Sequence, residues 1–219
     1  YRVFGPAVTI DRSRLKIGSG GDYTQNSLAT ETERADITGD IVEQYLKHAR
    51  GKRGVTFAAS VKLAERYAEA YKAAGVPAAY IDAKTPDRDR ADMIRALRNA
   101  TLLQLTNVDI FGEGFDLPAI ECVSMARATM SYSLFVQIFG RGLRMAPGKT
   151  HGIIIDHVGN VQEHGLPDKP QDWSLHTSKP TDDVFDEPEI PIRQCMNPAC
   201  LTVFESWTKE CPTCGQRPM

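Results

Sequence analysis

The sequence is short of positive charge, of long apolar runs and of cysteine outside its tail. Its 26 lysines and arginines are outnumbered by 28 acidic residues, which gives a formal net charge of -2. A nucleic-acid partner usually requires a basic surface, so any such partner here must contact a local patch. No apolar run approaches the roughly 18 residues that span a bilayer, and no signal pattern opens the sequence. We therefore expect a cytoplasmic protein with no membrane partner.

A phosphate-binding loop of the form G-x-x-x-x-G-K-[ST] is also missing. Gly148, Lys149 and Thr150 supply its ending, but Leu143 stands where the first glycine should be. Pro147 stiffens the same stretch. Such a loop works by pointing backbone N–H groups at phosphates, and this stretch lacks the glycines that would allow it. We therefore do not interpret it as a phosphate loop.

What is present is an alternation of short apolar strands with amphipathic helices. Hydrophobic residues make up 42% of the chain and charged residues 25%, as in an ordinary globular protein. Strands buried on both faces read as continuous apolar runs, and this series has that pattern. The prediction is an α/β fold with a parallel sheet flanked by helices, in which ligands gather at the carboxyl ends of the strands. The strands are predicted at residues 55–58, 78–82, 102–106, 120–125 and 152–156, and the helices at 40–50, 60–75, 85–97 and 131–142.

Four of the five cysteines lie in the tail as two close pairs, Cys195 with Cys200 and Cys211 with Cys214. Two thiolate pairs can close one tetrahedral site, so the spacing favours a structural four-cysteine zinc ribbon. Another metal, an iron–sulfur site or free thiols remain alternatives. A segment of about 30 residues is too small to fold without such a cross-link. Phe204 would then be part of its small core.

A predicted helix near residue 137 carries two arginines and a glutamine on one face. At 3.6 residues per turn, Gln137, Arg141 and Arg144 fall within about 60° of one another, opposite an apolar stripe. Planar guanidinium groups stay charged and bind phosphate or carboxylate through two hydrogen bonds. An R-x-x-R pair alone is usually a solvated basic face. This one gains significance from a second motif upstream.

That motif is the loop at residues 106–118, which follows a predicted strand. Gly112 and Gly114 allow a close backbone approach, and Asp116 precedes a Leu-Pro stop. An aspartate in that position can accept hydrogen bonds from a ribose or from a nearby arginine.

Together these motifs resemble the second RecA-like lobe of superfamily-two helicases and translocases, most closely the DEAD/DEAH-type helicase-like proteins common in phages. Residues 54–60 resemble the fourth helicase motif and residues 106–118 the fifth. Residues 137–144 resemble the sixth, the Q-x-x-G-R-x-x-R arginine-finger helix. The resemblance covers about residues 37 to 157.

The resemblance implies a role for each matched residue. Arg141 and Arg144 would reach the γ-phosphate of ATP on a partner lobe, with Gln137 orienting the helix. Gly140 would lie beside the same nucleotide. The resemblance also implies that Gly114 and Asp116 line the nucleotide cleft. The residues implied to contact one nucleic-acid strand are Ala58, Ser60, Thr106 and Asn107.

The resemblance also implies what is absent from the chain. With arginine fingers but no phosphate loop and no magnesium ligands, this chain alone should not hydrolyse ATP. Its Mg²⁺ and phosphate sites would belong to an N-terminal lobe of the same full-length protein, and DNA is preferred over RNA as the other partner. We divide the chain into a leading segment from the first lobe (1–36), the RecA-like domain (37–158), an acidic proline-rich linker (159–192) and the zinc ribbon (193–219).

The expected function is therefore the second motor lobe of an ATP-dependent helicase or translocase. Two alternatives remain open at the level of sequence. One is a motor subunit of a restriction or repair complex that does not unwind strands. The other is a non-enzymatic zinc-ribbon protein that binds nucleic acid.

Overall fold

The structure, a computed structural model, describes residues 1–6, 10–108, 120–168 and 192–217. Its centre is a six-stranded sheet in which every pair of neighbours is parallel. The strands lie in the order β1-β6-β5-β2-β4-β3. Their bounds are β1 Arg2–Phe4, β2 Gly54–Ala58, β3 Ala78–Ile81, β4 Gln104–Asn107, β5 Cys122–Ala126 and β6 Ile153–Asp156.

Helices cover both faces of this sheet and divide its core into two apolar clusters. One cluster takes Leu28, Ile41 and Leu63 from the first three helices, and the other takes Leu97 and Phe135 from later ones. A single-turn 3-10 helix at Arg12–Arg14 precedes them. The helices are α1 Gln25–Ala35, α2 Thr38–His48, α3 Val61–Ala73, α4 Asp87–Arg98, α5 Tyr132–Arg141 and α6 Asn160–His164. None of the described helices is long and apolar enough to cross a membrane.

The predicted fold class is confirmed, and the central strands show why it could be predicted from the sequence. Every residue of β2, β4 and β5 is buried. In the register, Val55 lies between Leu105 and Val123. Strands covered on both sides need apolar residues at successive positions, so their runs are distinct in the sequence.

Helix ends agree with the sequence at α3 but not at α4. Ser60, the first residue of the helix predicted over 60–75, accepts a hydrogen bond on its hydroxyl from Leu63 N at 3.3 Å and so caps α3. The helix predicted over 85–97 begins later, at Asp87, and Thr85 does not cap it. The Thr85 hydroxyl instead donates to the Asp82 carboxylate at 2.8 Å, and Pro86 occupies the cap position. The two side chains close the loop after β3 and leave Thr85 turned away from the helix.

Apart from the 3-10 turn and the two strands of the tail, three described elements have no counterpart among the predicted ones. Strand β1 pairs with β6 at the sheet edge, and α1 packs Leu28 into the core. Helix α6 falls inside the stretch that we predicted as linker. These segments are short, and β1 is stabilised by pairing with a strand about 150 residues away. Such distant pairing cannot be predicted from the hydrophobic periodicity of the sequence.

The tail folds as a hairpin against the free edge of β1. Strands β7 (Ile192–Gln194) and β8 (Val203–Glu205) are antiparallel. Gly5 N donates to Leu201 O at 2.8 Å, and Gln194 Nε2 donates to Pro6 O at 3.0 Å. The hairpin thus covers an edge strand that would otherwise expose unpaired backbone groups.

Two glycines bring the end of α5 close to the start of β6. A Cβ atom added at Gly152 would collide with the backbone carbonyl oxygen of Gly142, and one at Gly142 would lie 2.8 Å from Ile154 Cδ1. Backbone cannot move aside as a flexible side chain can. The position of the last turn of α5 therefore depends on the absence of a side chain at residue 152.

We predict that Gly152→Ala lowers the free energy of unfolding by about 1–3 kcal/mol, the usual cost of overpacking. The matched control is Gly39→Ala in α2, where an added Cβ meets nothing within 4 Å. Helix propensity should stabilise that variant by up to about 1 kcal/mol. Urea unfolding monitored by circular dichroism measures the free energy of unfolding of both variants. Equal unfolding midpoints for the two variants would show that the close approach is not a constraint.

Candidate phosphate-facing helix and metal centre

Helix α5 is fixed at both ends and along its apolar face. Ser131 caps it, accepting a hydrogen bond from Leu134 N at 3.2 Å. Phe135, Ile138 and Phe139 are buried in the core, as the apolar stripe predicted. At ten residues, α5 runs about 15 Å back across the sheet. It begins beside the carboxyl ends of the strands and ends beside their amino ends.

The two arginines are not equivalent, and this corrects the predicted helical face. Arg141 is the last residue of α5 and only 6% exposed, whereas Arg144 lies beyond the helix and is half-buried. Gln137 is exposed on the helix. The helix ends early because Gly142 is its C-cap and packs tightly against the sheet. Helical geometry therefore relates Gln137 to Arg141 but not to Arg144.

The arginine end of α5 lies at the amino edge of the sheet, opposite to where we expected ligands. Gly142 lies near Val123 and Ile154, which are early in their strands. Lys149 Nζ donates to Ile120 O at 2.6 Å and to Arg144 O at 2.8 Å, and burial lowers the pKa of Lys149. That lysine fastens the loop after the helix instead of binding phosphate.

At the carboxyl edge, only one residue of the predicted strand-binding set has an accessible side chain. Ser60 is partly exposed. Thr106 is fully buried and donates its hydroxyl hydrogen to Ala64 O at 2.6 Å. Asn107 is also fully buried, donating to Thr56 O at 3.1 Å, and Ala58 is 1% exposed. The structure therefore does not place the side chains of Ala58, Thr106 and Asn107 where a phosphate could reach them. The reason is that β2 and β4 are central strands.

The remaining predicted cleft residues, Gly114 and Asp116, lie outside the described residues. Gly140 is described, and a Cβ added there meets nothing within 4 Å. No neighbour in the described part of the chain therefore requires glycine at this position.

A network that sequence reasoning missed holds the first turn of α5. The Asp22 carboxylate accepts from Thr129 Oγ1 and from Met130 N, each at 2.7 Å. The Thr129 hydroxyl in turn accepts from Ser131 N at 2.9 Å. Asn160 accepts from Thr129 N at 3.1 Å. The only local signal was the glycine-rich turn before Asp22.

The loop after β6 lies at the carboxyl edge of the sheet, where we expect ligands, but three of its side chains are buried. Asp156, His157 and Asn160 are each fully buried. Asp156 accepts from Val161 N at 2.7 Å, and burial raises its pKa. The His157 ring nitrogen Nδ1 lies 2.7 Å from an Asp40 carboxylate oxygen. This loop joins α2 and α6 to the sheet.

The four tail cysteines come together as their spacing predicted. All four Sγ atoms lie within 4.8 Å of one another. Cys195 and Cys214 are 3.6 Å apart at sulfur, as are Cys200 and Cys211. A disulfide requires about 2.05 Å, whereas tetrahedral zinc with bonds of about 2.3 Å places its sulfurs roughly 3.8 Å apart. The cluster therefore fits a zinc ion in which all four thiolates are ligands.

Backbone geometry favours a thiolate at one position of the cluster. Burial raises the pKa of Cys211, but the N–H groups of Cys214 and Thr213 and the neighbouring thiols outweigh it, leaving the pKa at about 7. N–H groups that point at sulfur stabilise its charged form, which is the form that binds metal.

Comparison with known proteins identifies the central part of the chain. Residues 38–146 match the model of the helicase conserved C-terminal domain. The "51.5 kDa protein" of a Lactococcus phage (isolate 7-9) is 34% identical over 210 residues, covering 96% of this chain and 45% of that protein. The "Putative ATP-dependent helicase IRC3" of Saccharomyces cerevisiae is 29% identical over 155 residues, or 69% of this chain and 22% of that protein. This chain thus spans less than half the length of either relative.

A solved structure supports the fold independently. The "fragment structure of a putative HsdR subunit of a type I restriction enzyme" from Vibrio vulnificus YJ016 aligns with a TM-score of 0.56 at 21% identity. The alignment covers 76% of this chain and 33% of that one. At this identity the likeness concerns the fold alone.

We predict about one zinc ion per chain by elemental analysis, lost in Cys211→Ala and retained in Cys122→Ala. Cys122 is a buried strand residue outside the cluster and is the matched control. Removing the metal should also lower the melting temperature of the chain, because the hairpin contributes Val203 to the core of the sheet domain. A folded tail without metal, shown by unchanged protection of its amides from hydrogen exchange, would refute the zinc assignment.

Proposed function

We propose that this chain, which carries a helicase conserved C-terminal domain at residues 38–146, acts as the second motor lobe of an ATP-dependent helicase or translocase. One observation carries the proposal. The chain holds an arginine-bearing helix end at one sheet edge, and its sequence has no loop that could hold the phosphates this end would bind.

The surface beside these arginines supports a partner at this edge. Leu143 is 39% exposed and Met145 is 84% exposed, on either side of Arg144. Exposed apolar side chains next to charged ones are typical of a contact surface. The partner that we propose is the N-terminal lobe of the full-length protein, which would hold ATP with Mg²⁺ in its own phosphate loop.

In this arrangement the arginines complete a nucleotide site that the other lobe begins. Arg144 and Arg141, the latter after its side chain turns out of the position in which it is 6% exposed, contact the γ-phosphate and stabilise the charge that develops as it is transferred to water. Gln137 orients the helix end, and Gly140 allows the nucleotide or the facing lobe to come close to the backbone. Gly114 and Asp116 take the ribose side of the cleft.

The strand-binding surface is proposed at the opposite edge. Ser60 and the backbone groups near Ala58 contact the phosphates of one strand, and DNA is the expected nucleic acid. Because α5 runs from this edge to the other, it joins the strand surface to the nucleotide surface as one rigid element. Closing of the lobes on ATP and opening after hydrolysis would then move the strand.

We predict that Arg141→Ala in the full-length protein lowers DNA-stimulated ATP hydrolysis by roughly 10³-fold or more, the scale of an arginine finger. Binding of single-stranded DNA should change little, since Ser60 lies at the other edge. Arg141→Lys should also fail, because a lysine keeps the charge without the two-point contact. The control is Arg95→Ala, which removes an exposed arginine paired with Asp92 on α4. Unchanged turnover in Arg141→Ala would refute the arginine-finger assignment.

A second variant separates function from folding at the same helix end. Gly140→Ala should leave the chain as stable or up to about 1 kcal/mol more stable, since alanine favours helix and has open space there. In the full-length protein it should nevertheless lower ATP turnover, because the added methyl group occupies the surface proposed to face the nucleotide. Thermal melting tests the expected stability, and steady-state kinetics test the expected loss of ATP turnover. Normal turnover would mean that nothing approaches this glycine closely.

A further inference from the structure

A groove along α1 carries cationic side chains that are not among the residues proposed above to contact nucleotide or nucleic acid. It encloses about 560 Å³ and lies between the 3-10 turn and the outer side of the helix. Its charged lining residues are Arg14, Lys16, Glu31 and Arg34, and three hydroxyl side chains add polar groups, namely Thr24, Ser27 and Thr30.

Two carboxylates hold the arginines of this groove in fixed orientations. Glu31 is 4% exposed and accepts from Arg34 Nε at 3.0 Å and from Arg34 Nη2 at 2.9 Å. Asp11 accepts from Arg14 Nε at 2.8 Å. Fixing a guanidinium group in this way lowers the entropy cost of a further contact, because the side chain is already ordered.

The arginines keep donors for a ligand after these pairings. A guanidinium group has five N–H donors, and each carboxylate uses only part of them. Among the described residues, no hydrogen-bond partner is found for Arg34 Nη1, for either Nη atom of Arg14 or for Lys16 Nζ. With three cations and two carboxylates, the groove has a local excess of positive charge in a chain whose net charge is -2.

The groove adjoins the carboxyl edge of the sheet, where strand binding is proposed. Helix α3 begins one residue after Ser60. Lys62 on its first turn lies 3.0 Å from Glu33, and Arg66 lies 2.6 Å from Asp36. The C-terminal end of α1, which carries Arg34, is thus joined to the helix that starts at Ser60.

We propose that this groove binds the phosphodiester backbone of a nucleic-acid strand as it leaves the carboxyl edge of the sheet. The proposal rests on the proposed function, which supplies the strand. Fixed arginines suit phosphate oxygens through paired hydrogen bonds, and Lys16 adds a mobile point charge. Hydroxyl side chains suit the same backbone, and such contacts do not distinguish bases.

The test is the salt dependence of binding in the full-length protein. Each cation that contacts a single strand contributes about 0.7 to the slope of log affinity against log salt, so the double variant Arg14→Gln/Lys16→Gln should reduce that slope by about 1.4. Affinity for a dT oligonucleotide near 0.15 M salt should fall about 10-fold as a result. Both side chains are exposed, so the fold should be retained, and circular dichroism checks this.

The control is Lys72→Gln/Arg95→Gln, which removes the same charge. These residues lie on the outer surfaces of α3 and α4, and each has an acidic partner three residues before it. A third variant, Arg34→Lys, keeps the charge while losing the two-point contact with Glu31, and it should weaken binding with less change in slope.

Equal slopes for the groove variant and the control would overturn the proposal. So would a groove variant that loses affinity for inorganic polyphosphate but not for the oligonucleotide, since that would identify a site for free phosphates. Failure of the proposed function would be seen separately, as a wild-type protein whose ATP hydrolysis is not stimulated by nucleic acid.

Discussion

Burial of the central sheet on both faces is the constraint on which the rest of this structure depends. Strands β2, β4 and β5 have no exposed residues, so helices must cover both sides, and all the neighbouring strands of this sheet are parallel. Parallel crossovers place the loops after the strands at one edge and the helix C-terminal ends at the other. The two proposed surfaces of the motor lobe are therefore at opposite edges because of the sheet itself.

Helix α5 connects these edges, and each of its ends is fixed by a different kind of interaction. At its start, Asp22, Thr129 and Ser131 form a chain of hydrogen bonds that ties the first turn to the leading segment of the chain. At its end, a close contact between two glycines sets the distance to the sheet. A helix fixed at both ends in this way suits the proposed coupling between the nucleotide surface and the strand surface.

The cysteine cluster substitutes for a hydrophobic core in a segment too small to have one. Four sulfurs within 4.8 Å organise the loops around β7 and β8. The hairpin then docks on β1 through Leu201 and Gln194 and protects the edge of the sheet. The tail is thus a part of the lobe surface in this structure, and a metal ion held by the four cysteines would contribute to the stability of the whole.

The sequence by itself determined the alternation of central strands and helices, the cap at Ser60 and the apolar stripe of α5. It also determined that the four tail cysteines come together. Each of these follows from periodicity or spacing over a few residues, so it is readable without partners. Tertiary structure alone decided that Arg141 lies at the amino edge, that Thr106 and Asn107 are enclosed by neighbouring strands, and that Asp22 holds Thr129. Those outcomes depend on contacts between residues tens to more than one hundred positions apart, such as the 107 that separate Asp22 from Thr129. Packing sets such contacts, and no local pattern in the chain encodes them.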